Sequence, residues 1–226
     1  MLDISSVFLF TPGMKKNIQM PDSREQQILE GLEIRLVRKD EQACYERLID
    51  EQHYLKSVPL VGEQLRYVAE YGGEWLALLS WNAGSYHLAD RDAWIGWSDA
   101  QRRIRLPFVA NNSRFLILGG KGCPNLASRA MKLCLQRLSD DWSAAYGHGI
   151  LVAESFVDPQ LFRGTAYKAS GWMLLGKTKG YARARREYYT EHNAPKEFYV
   201  RALRRDALEL LRAEQMPAAW RGGELE

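Results

Sequence analysis

Apolar and polar positions change period several times along the chain, and each change marks an element. "SREQQILEGL" has Ser23 at its head and Gly31 near its end, which predicts a short capped helix. "LEIRLVRKD" (32–40) alternates apolar and charged residues, the period of a half-buried strand. In "DEQACYERLIDEQHYL", Ala43, Leu48 and Ile49 repeat at helical spacing behind a capping Asp40. "QLRYVAEYGGEWLALLSW" (64–81) is two strand-like runs about Gly72 and Gly73, a hairpin signal. Segment 102–118, "RRIRLPFVANNSRFLIL", reads as two further extended pieces, with "SRFLIL" a buried strand. After the glycine-rich "GGKGCPNL", the run "NLASRAMKLCLQRLSDDWSAAYG" puts Leu126, Ala130, Leu133, Cys134 and Leu138 on one helical face. "GILVAESFVD" (149–158) predicts a strand, and "PQLFRGTAYKAS" a short helix with Pro159 near its first turn. "GWMLLGKTKG" predicts a last core strand. The C-terminal "EFYVRALRRDALELLRAEQM" is a basic strand or helix, helical from near Arg204.

Helices and strands alternate at both ends of this order, but its middle is an antiparallel meander. The predicted class is α/β (α+β), with a mixed, mostly antiparallel sheet and flanking helices, not a doubly wound parallel sheet. Pro12-Gly13 and Pro21-Asp22 set off residues 1–30 as an N-terminal extension. Residues 31–180 form the core, and 181–226 a basic, partly helical C-terminal extension.

Composition changes this picture little. The 226 residues are 46% hydrophobic and 26% charged, enough apolar material for one sizeable core. A net charge of +3 permits an anionic partner without requiring one. Cys44, Cys123 and Cys134 make no CxxC pair and no metal-ligand spacing. The expectation is a reduced, cytoplasmic protein without disulfides or metal. The apolar run 7–10 is too short for a secretory signal and no basic region leads into it. No run approaches the roughly 18 apolar residues of a membrane span.

Four stretches carry candidate chemistry. "DRDAWIGW" packs Asp90, Arg91 and Asp92 beside Trp94 and Trp97. It is either a cleft floor, with Arg91 binding and Asp92 free to act as base, or a structural Arg–Asp pair over indole surface. Glu154 lies in an apolar strand, so its carboxylate needs a partner or a raised pKa. That makes it a general-base candidate, with a buried pair to Arg91 or Arg114 as the rival. His53, at the end of the helix in "DEQACYERLIDEQHYL", either lines a cleft or is a surface or capping residue. The run 177–186 holds Lys177, Lys179, Arg183, Arg185 and Arg186 with no acid, and Tyr181, Tyr188 and Tyr189 interleave. Positive charge with aromatics suits phosphate contact and base stacking; a solvated rim is the alternative.

The order of these phrases resembles the GCN5-related N-acetyltransferase (GNAT) fold over 31–180. The phrases are "IRLVRKDEQACYERLIDEQ", "YVAEYGGEWLALLSW", "RFLIL" with "NLASRAMKLCLQRL", and "YKASGWMLLG". The last is similar to a closing Tyr-x-x-x-Gly-aromatic motif. The resemblance implies that Tyr167 would protonate a departing thiolate. It also implies that the turn before the long helix would hold a coenzyme A pyrophosphate, through Lys121, Asn125, Leu126, Ala127, Ser128 and Arg129; the alternative is Asn125 acting as an ordinary helix cap. The acetyltransferase pattern there is Gln or Arg, two spacers, Gly, one spacer, then Gly or Ala. This chain has Gly122, Asn125 and Ala127 at those positions, so the first amide or basic residue is missing and the central glycine is Asn.

A second resemblance is to the DruA family of the Druantia anti-phage defence system and its transposase-associated relatives. It is carried by "GEQLRYV", "RDAWIGW", "NNSRFLIL", "NLASRA", "ESFVDPQLFRGTAYKASGW" and "LGKTKG". It implies a setting in phage defence or mobile DNA, with nucleic acid or other defence-system or transposase subunits as partners. Three readings follow. The chain engages nucleic acid through its basic C-terminal face. Or it transfers an acyl group from acyl-CoA or aminoacyl-tRNA to an amine, with Glu154 or Asp92 as base, Tyr167 as acid, and backbone N–H groups of the strand ending at Leu118 as oxyanion donors. Or it is an inactive assembly subunit.

Overall fold

A computed structural model describes residues 21–56, 60, 62–119, 123–178, 181–185, 188–191 and 194–223. Helix α1 (Ser23–Glu30) is capped by Asp22, whose carboxylate accepts the Glu25 N–H at 2.7 Å, so Ser23 is the first helical residue and not the cap. Strand β1 (Glu33–Leu36) stops sooner than its alternation predicts. A single 3-10 turn, Lys39–Glu41, leads into α2 (Gln42–Gln52), whose start has no side-chain cap from Asp40. Strands β2 (Gln64–Tyr71) and β3 (Glu74–Ala83) make the expected hairpin. Gly72 and Gly73 both sit at positive φ, +59° and +82°, as a two-residue turn of this hand demands.

The extended reading fails over 102–108. Helix α3 (Ala89–Ile95) ends at a left-handed Gly96, and α4 (Asp99–Arg105) opens on a reciprocal Ser98–Gln101 capping box. Arg102 and Arg105 are both buried, their guanidinium groups donating to the carbonyls of Tyr86 and of Leu211 and Ala213. Charge at those positions therefore marks the inner face of a helix. Strand β4 (Val109–Ile117) follows, then α5 (Leu126–Tyr146), which buries Leu126, Ala130, Met131, Cys134, Leu138 and Trp142 along one side. Next come β5 (Val152–Val157), α6 (Thr165–Ala169) and β6 (Met173–Lys177). Pro159 lies well before α6, which starts after a left-handed Gly164. The chain closes with β7 (Tyr181–Arg185), β8 (Tyr188–Glu191), β9 (Glu197–Ala202) and α7 (Ala207–Arg212).

Among the described residues, seven strands form one sheet in the order β1-β2-β3-β4-β5-β9-β6, antiparallel except for the β4–β5 pair; β7 and β8 make a separate ribbon. The sheet is mixed and mostly antiparallel, as the sequence predicts. The boundary at 180 is corrected: β9 inserts between β5 and β6, and α7 buries Ala207 and Leu211, so the core runs on past the ribbon. The boundary at 30 also moves, because Ile28 of α1 packs with Ala69, Ala77, Leu126 and Ala130.

Successive strand residues face opposite sides of the sheet. Tyr67, Leu79, Trp81, Ala110 and Ala153 face α5 and α6; Val68, Leu78, Val109 and Val152 face α2 on one half and α3 and α7 on the other. The β4–β5 pairing is short. It runs from Val109↔Val152 to Asn112↔Ser155 and stops, while β4 continues beside β3 as far as Ile117. A register shift on β4 near Ser113 accompanies the break. Beyond it the two parallel strands diverge.

Candidate functional site

The divergence opens a cavity of about 480 Å³. Its walls come from β4 (Asn112, Ser113, Phe115 to Ile117), the end of β5, the start of α6, the end of α2 and Ala127 of α5. The edge of β4 that faces it has lost its strand neighbour, so backbone groups there are available to an extended ligand.

Tyr167 is brought into this wall. Its hydroxyl donates to Asn112 Oδ1 at 2.7 Å. Asn112 Nδ2 donates to the carbonyls of Ser80 and Arg114, both at 3.2 Å, which fixes the amide so that its oxygen faces the phenol. Ser155 Oγ shares one proton between the Asn112 backbone carbonyl at 2.9 Å and the phenol oxygen at 3.0 Å. Burial pushes the phenol pKa above the ordinary tyrosine value, with Ser155 opposing, so the proton stays on Tyr167. The ring is held by stacking on Tyr199 and by edge contacts with Trp172 and Phe115. Asn112 and Ser155 were not singled out in the sequence. A consecutive pair of asparagines inside a strand pattern was the available signal for Asn112.

His53 is brought there too. It terminates α2, is 6% exposed, and its Nδ1 accepts the Leu55 N–H at 3.2 Å. That bond leaves the proton of the neutral ring on Nε2. Burial, with Arg114 and Lys196 nearby, lowers its pKa to about 4. The ring is a hydrogen-bond donor at neutral pH and a poor base. Tyr54 packs against both His53 and Phe162, giving the cavity an aromatic rim.

Glu154, Arg91 and Asp92 are not brought there. Glu154 is one residue from Ser155 and so faces the other side of the sheet, fully buried. Its carboxylate accepts from Arg91 Nη1 at 2.9 Å and from the Ser85 N–H at 2.6 Å. Burial pushes its pKa up while Arg91 and Ser85 pull it back. Arg91 also binds Asp92 and lies over the Trp97 ring, and Asp92 accepts from the Trp97 indole. Of the two readings of "DRDAWIGW", the geometry has the structural one, extended to Glu154. Neither carboxylate is among the residues that line the cavity.

The turn before α5 holds an occupant from the chain itself. Glu25 of α1 is buried, and its Oε1 accepts the Asn125 N–H at 3.1 Å and the Asn125 Nδ2 at 3.0 Å. Asn125 therefore makes no side-chain cap for α5. Arg129 Nε donates to the Leu29 carbonyl at 3.0 Å, Ser128 Oγ to the Asn125 carbonyl, and Leu126 is buried. Of these residues only Ala127 reaches the cavity. Lys121 lies outside the described residues. In the basic run, Lys177 is exposed at the end of β6, Arg183 and Arg185 belong to β7, and Lys179 and Arg186 lie outside the described residues. Among the described residues no group of three or more His, Cys, Asp or Glu is placed to hold a metal, and no helix is long and apolar enough to cross a membrane.

The model of the family described as "Druantia protein DruA" matches residues 13–197 of this chain. The chain belongs to the DruA family. No curated protein matches it. Among solved structures, this DruA-family chain is similar to the aminoglycoside acetyltransferase AAC(6')-Ib. The complex with ribostamycin and coenzyme A has 14% identity, covers 82% of this chain and 99% of that one, and gives a TM-score of 0.50. The complex with coenzyme A and kanamycin has 15% identity, covers 79% and 97%, and also gives 0.50. At such identity the likeness is one of fold, and the DruA-family chain has the GNAT-like sheet expected of it.

Coenzyme A fits this arrangement only in part. The diverging strands leave an opening for an extended acyl-bearing arm. Asn125, at the head of α5 where the resemblance would put the pyrophosphate, already binds the Glu25 carboxylate, and an anion beside it would meet like charge; Gly120, Lys121 and Gly122 of the same turn lie outside the described residues.

Proposed function

We propose that this DruA-family chain is a group-transfer domain, acting in anti-phage defence or with mobile DNA, whose β4/β5 cleft receives an acyl or aminoacyl group. One observation carries the reading: the parallel pair opens after Asn112↔Ser155, and the opening has the Tyr167–Asn112–Ser155 network in its wall. An acyl arm laid along β4 would use the backbone groups that β5 has released. The buried Tyr167 holds its proton until a strongly basic leaving atom competes with Asn112 for it. Neutral His53 orients by donating from Nε2. Among the described residues of the cavity wall none is placed to remove a proton from an ammonium, so in this reading the acceptor amine arrives neutral or gives its proton to water.

The donor in this reading is one that leaves Asn125, at the head of α5, to Glu25. The aminoacyl end of a nucleic acid meets that condition, and the basic ribbon is rooted beside the cavity. Thr178 N–H donates to the Lys196 carbonyl at 2.8 Å, and neighbouring Glu197 pairs with Val157 of the cavity wall. The test is thermal melting with aminoacyl-tRNA and, separately, acyl-CoA. A donor that binds raises the melting midpoint. Ala127→Trp, which fills the α5 end of the cavity, should abolish the rise, and Tyr167→Phe should keep binding but lose transfer. No rise with either donor would overturn the reading.

A further inference from the structure

Resting on an aminoacyl nucleic acid as the donor, we infer that the mouth of the cavity binds the donor's terminal base, stacked on Tyr54 and Phe162. The exposed residues of the lining are Gln52, Tyr54, Phe162, Arg163 and Thr165. They come from two segments, the end of α2 and the stretch that leads into α6. The Tyr54 and Phe162 rings meet at 5.5 Å between centroids, so the two segments join in one rim. The other lining residues, Tyr167 among them, are buried or half-buried. The cavity thus has a closed end at the Tyr167 network and an aromatic mouth.

Tyr54 is 37% exposed and Phe162 49%, yet local bonds hold the rim in place. The Phe162 N–H donates to the Asp158 carbonyl at 2.8 Å, and the Asp158 carboxylate accepts the Gln160 N–H at 2.9 Å. Lys168 Nζ donates to the Arg163 carbonyl at 3.1 Å, and the Tyr54 ring is backed by His53 at 4.8 Å. Exposed rings already held in position lose little freedom when a ligand stacks on them. Aromatic faces of this kind accept any base, because every base has a π-face. Arg163 is the one charged residue of the described lining, and its guanidinium forms no ion pair among the described residues. It is free to meet the phosphate of the same nucleotide. His53, beneath Tyr54, offers its Nε2–H to a ribose oxygen or a base-edge acceptor. The chemistry of the donor fits this layout. An aminoacyl ester sits on the ribose of the last nucleotide, so its base lies one sugar away from the reacting carbonyl. With that carbonyl beside Tyr167, the base falls at the mouth. The aliphatic arm of coenzyme A has no ring at that place.

The probes share the phenylalanylated 3′-terminal nucleoside with a 5′-phosphate and an amide in place of the labile ester. One carries adenine; in the others the base is replaced by hydrogen or by cyclohexyl. Calorimetric titration of the full chain should show the adenine form binding about tenfold or more tighter than either analogue. Tyr54→Ala and Phe162→Ala, made separately, should each erase most of that difference while the analogues bind as before. Arg163→Met should flatten the salt dependence by about one phosphate contact. All three side chains are exposed, and the melting midpoint checks that each variant folds. Equal binding of the adenine and hydrogen forms overturns the base site and leaves the cavity as an aminoacyl site. A cyclohexyl form that matches adenine also overturns it, because the rim is then a plain apolar contact. Failure of all three to bind overturns the base site and the aminoacyl donor together, while melting with acyl-CoA reads the cavity separately.

Discussion

At the residue scale, position in the pleat decides what a side chain can do. Glu154 and Ser155 are neighbours in sequence yet lie on opposite sides of the sheet, one sealed with Arg91 and the other beside Tyr167. Glu154→Ala strands Arg91 in the interior with Asp92 as its remaining carboxylate, and should cost about 3–5 kcal/mol in urea unfolding. A loss under about 1 kcal/mol would mean that the pair is not structural. His53 makes the pH prediction. It titrates near 6.5 when exposed and near 4 here, so between those values the unfolded chain binds more protons than the folded one. Its contribution to stability is complete above pH 6.5 and is lost as pH falls toward 4. His53→Asn keeps an acceptor for the Leu55 N–H without the titration, so the difference in urea midpoint between the two proteins should shrink across that window. A difference that does not change with pH argues against a depressed His53.

At the scale of elements, α1 and α5 are joined by a carboxylate at a helix N-terminus. The Asn125 N–H and side-chain amide both end on Glu25, and the partial positive charge of α5 favours the arrangement. Glu25→Ala should destabilise the fold by about 1–2 kcal/mol, the scale of a lost charged cap. It should also raise coenzyme A affinity, read by the shift of the melting midpoint with ligand. If coenzyme A affinity stays the same, Glu25 does not compete with the pyrophosphate. Strand β4 shows a different kind of coupling. Its hydrogen bonds to β5 end where Asn112 turns its amide between Ser80 and Arg114, so the element that makes the sheet continuous also makes its opening.

At the scale of the whole molecule, the C-terminal third is two unlike things. The ribbon of β7 and β8 is a separate two-stranded sheet, whereas β9 is an interior strand paired on both edges. Replacing 181–191 with a short Gly-Ser linker should leave the melting midpoint within about 3 °C, while removing 197–226 should leave no cooperative unfolding transition. If the ribbon is the nucleic-acid contact, the first variant also loses a binding that weakens steeply with salt in the intact chain. Retained binding would move that contact elsewhere.

Local pattern was enough for α5, for the hairpin about Gly72-Gly73 and for the closing Tyr167-to-Gly171 passage, because helical period, turn glycines and strand alternation are written in consecutive residues. It was enough for the mixed sheet, since an antiparallel meander between alternating ends admits few other arrangements. Pattern misread 102–108, where buried arginines that donate to carbonyls look like the polar half of a strand. It also closed the core at 180, because nothing in a strand's own residues says that its partners lie on the far side of a ribbon. The Glu25–Asn125 contact joins positions 100 residues apart, and the Arg91–Glu154 pair positions 63 apart. By itself the sequence determined which elements form and which residues carry chemistry. Only the tertiary structure decided which of those residues meet, because strand order and face are fixed by pairing and burial between segments that carry no local record of each other.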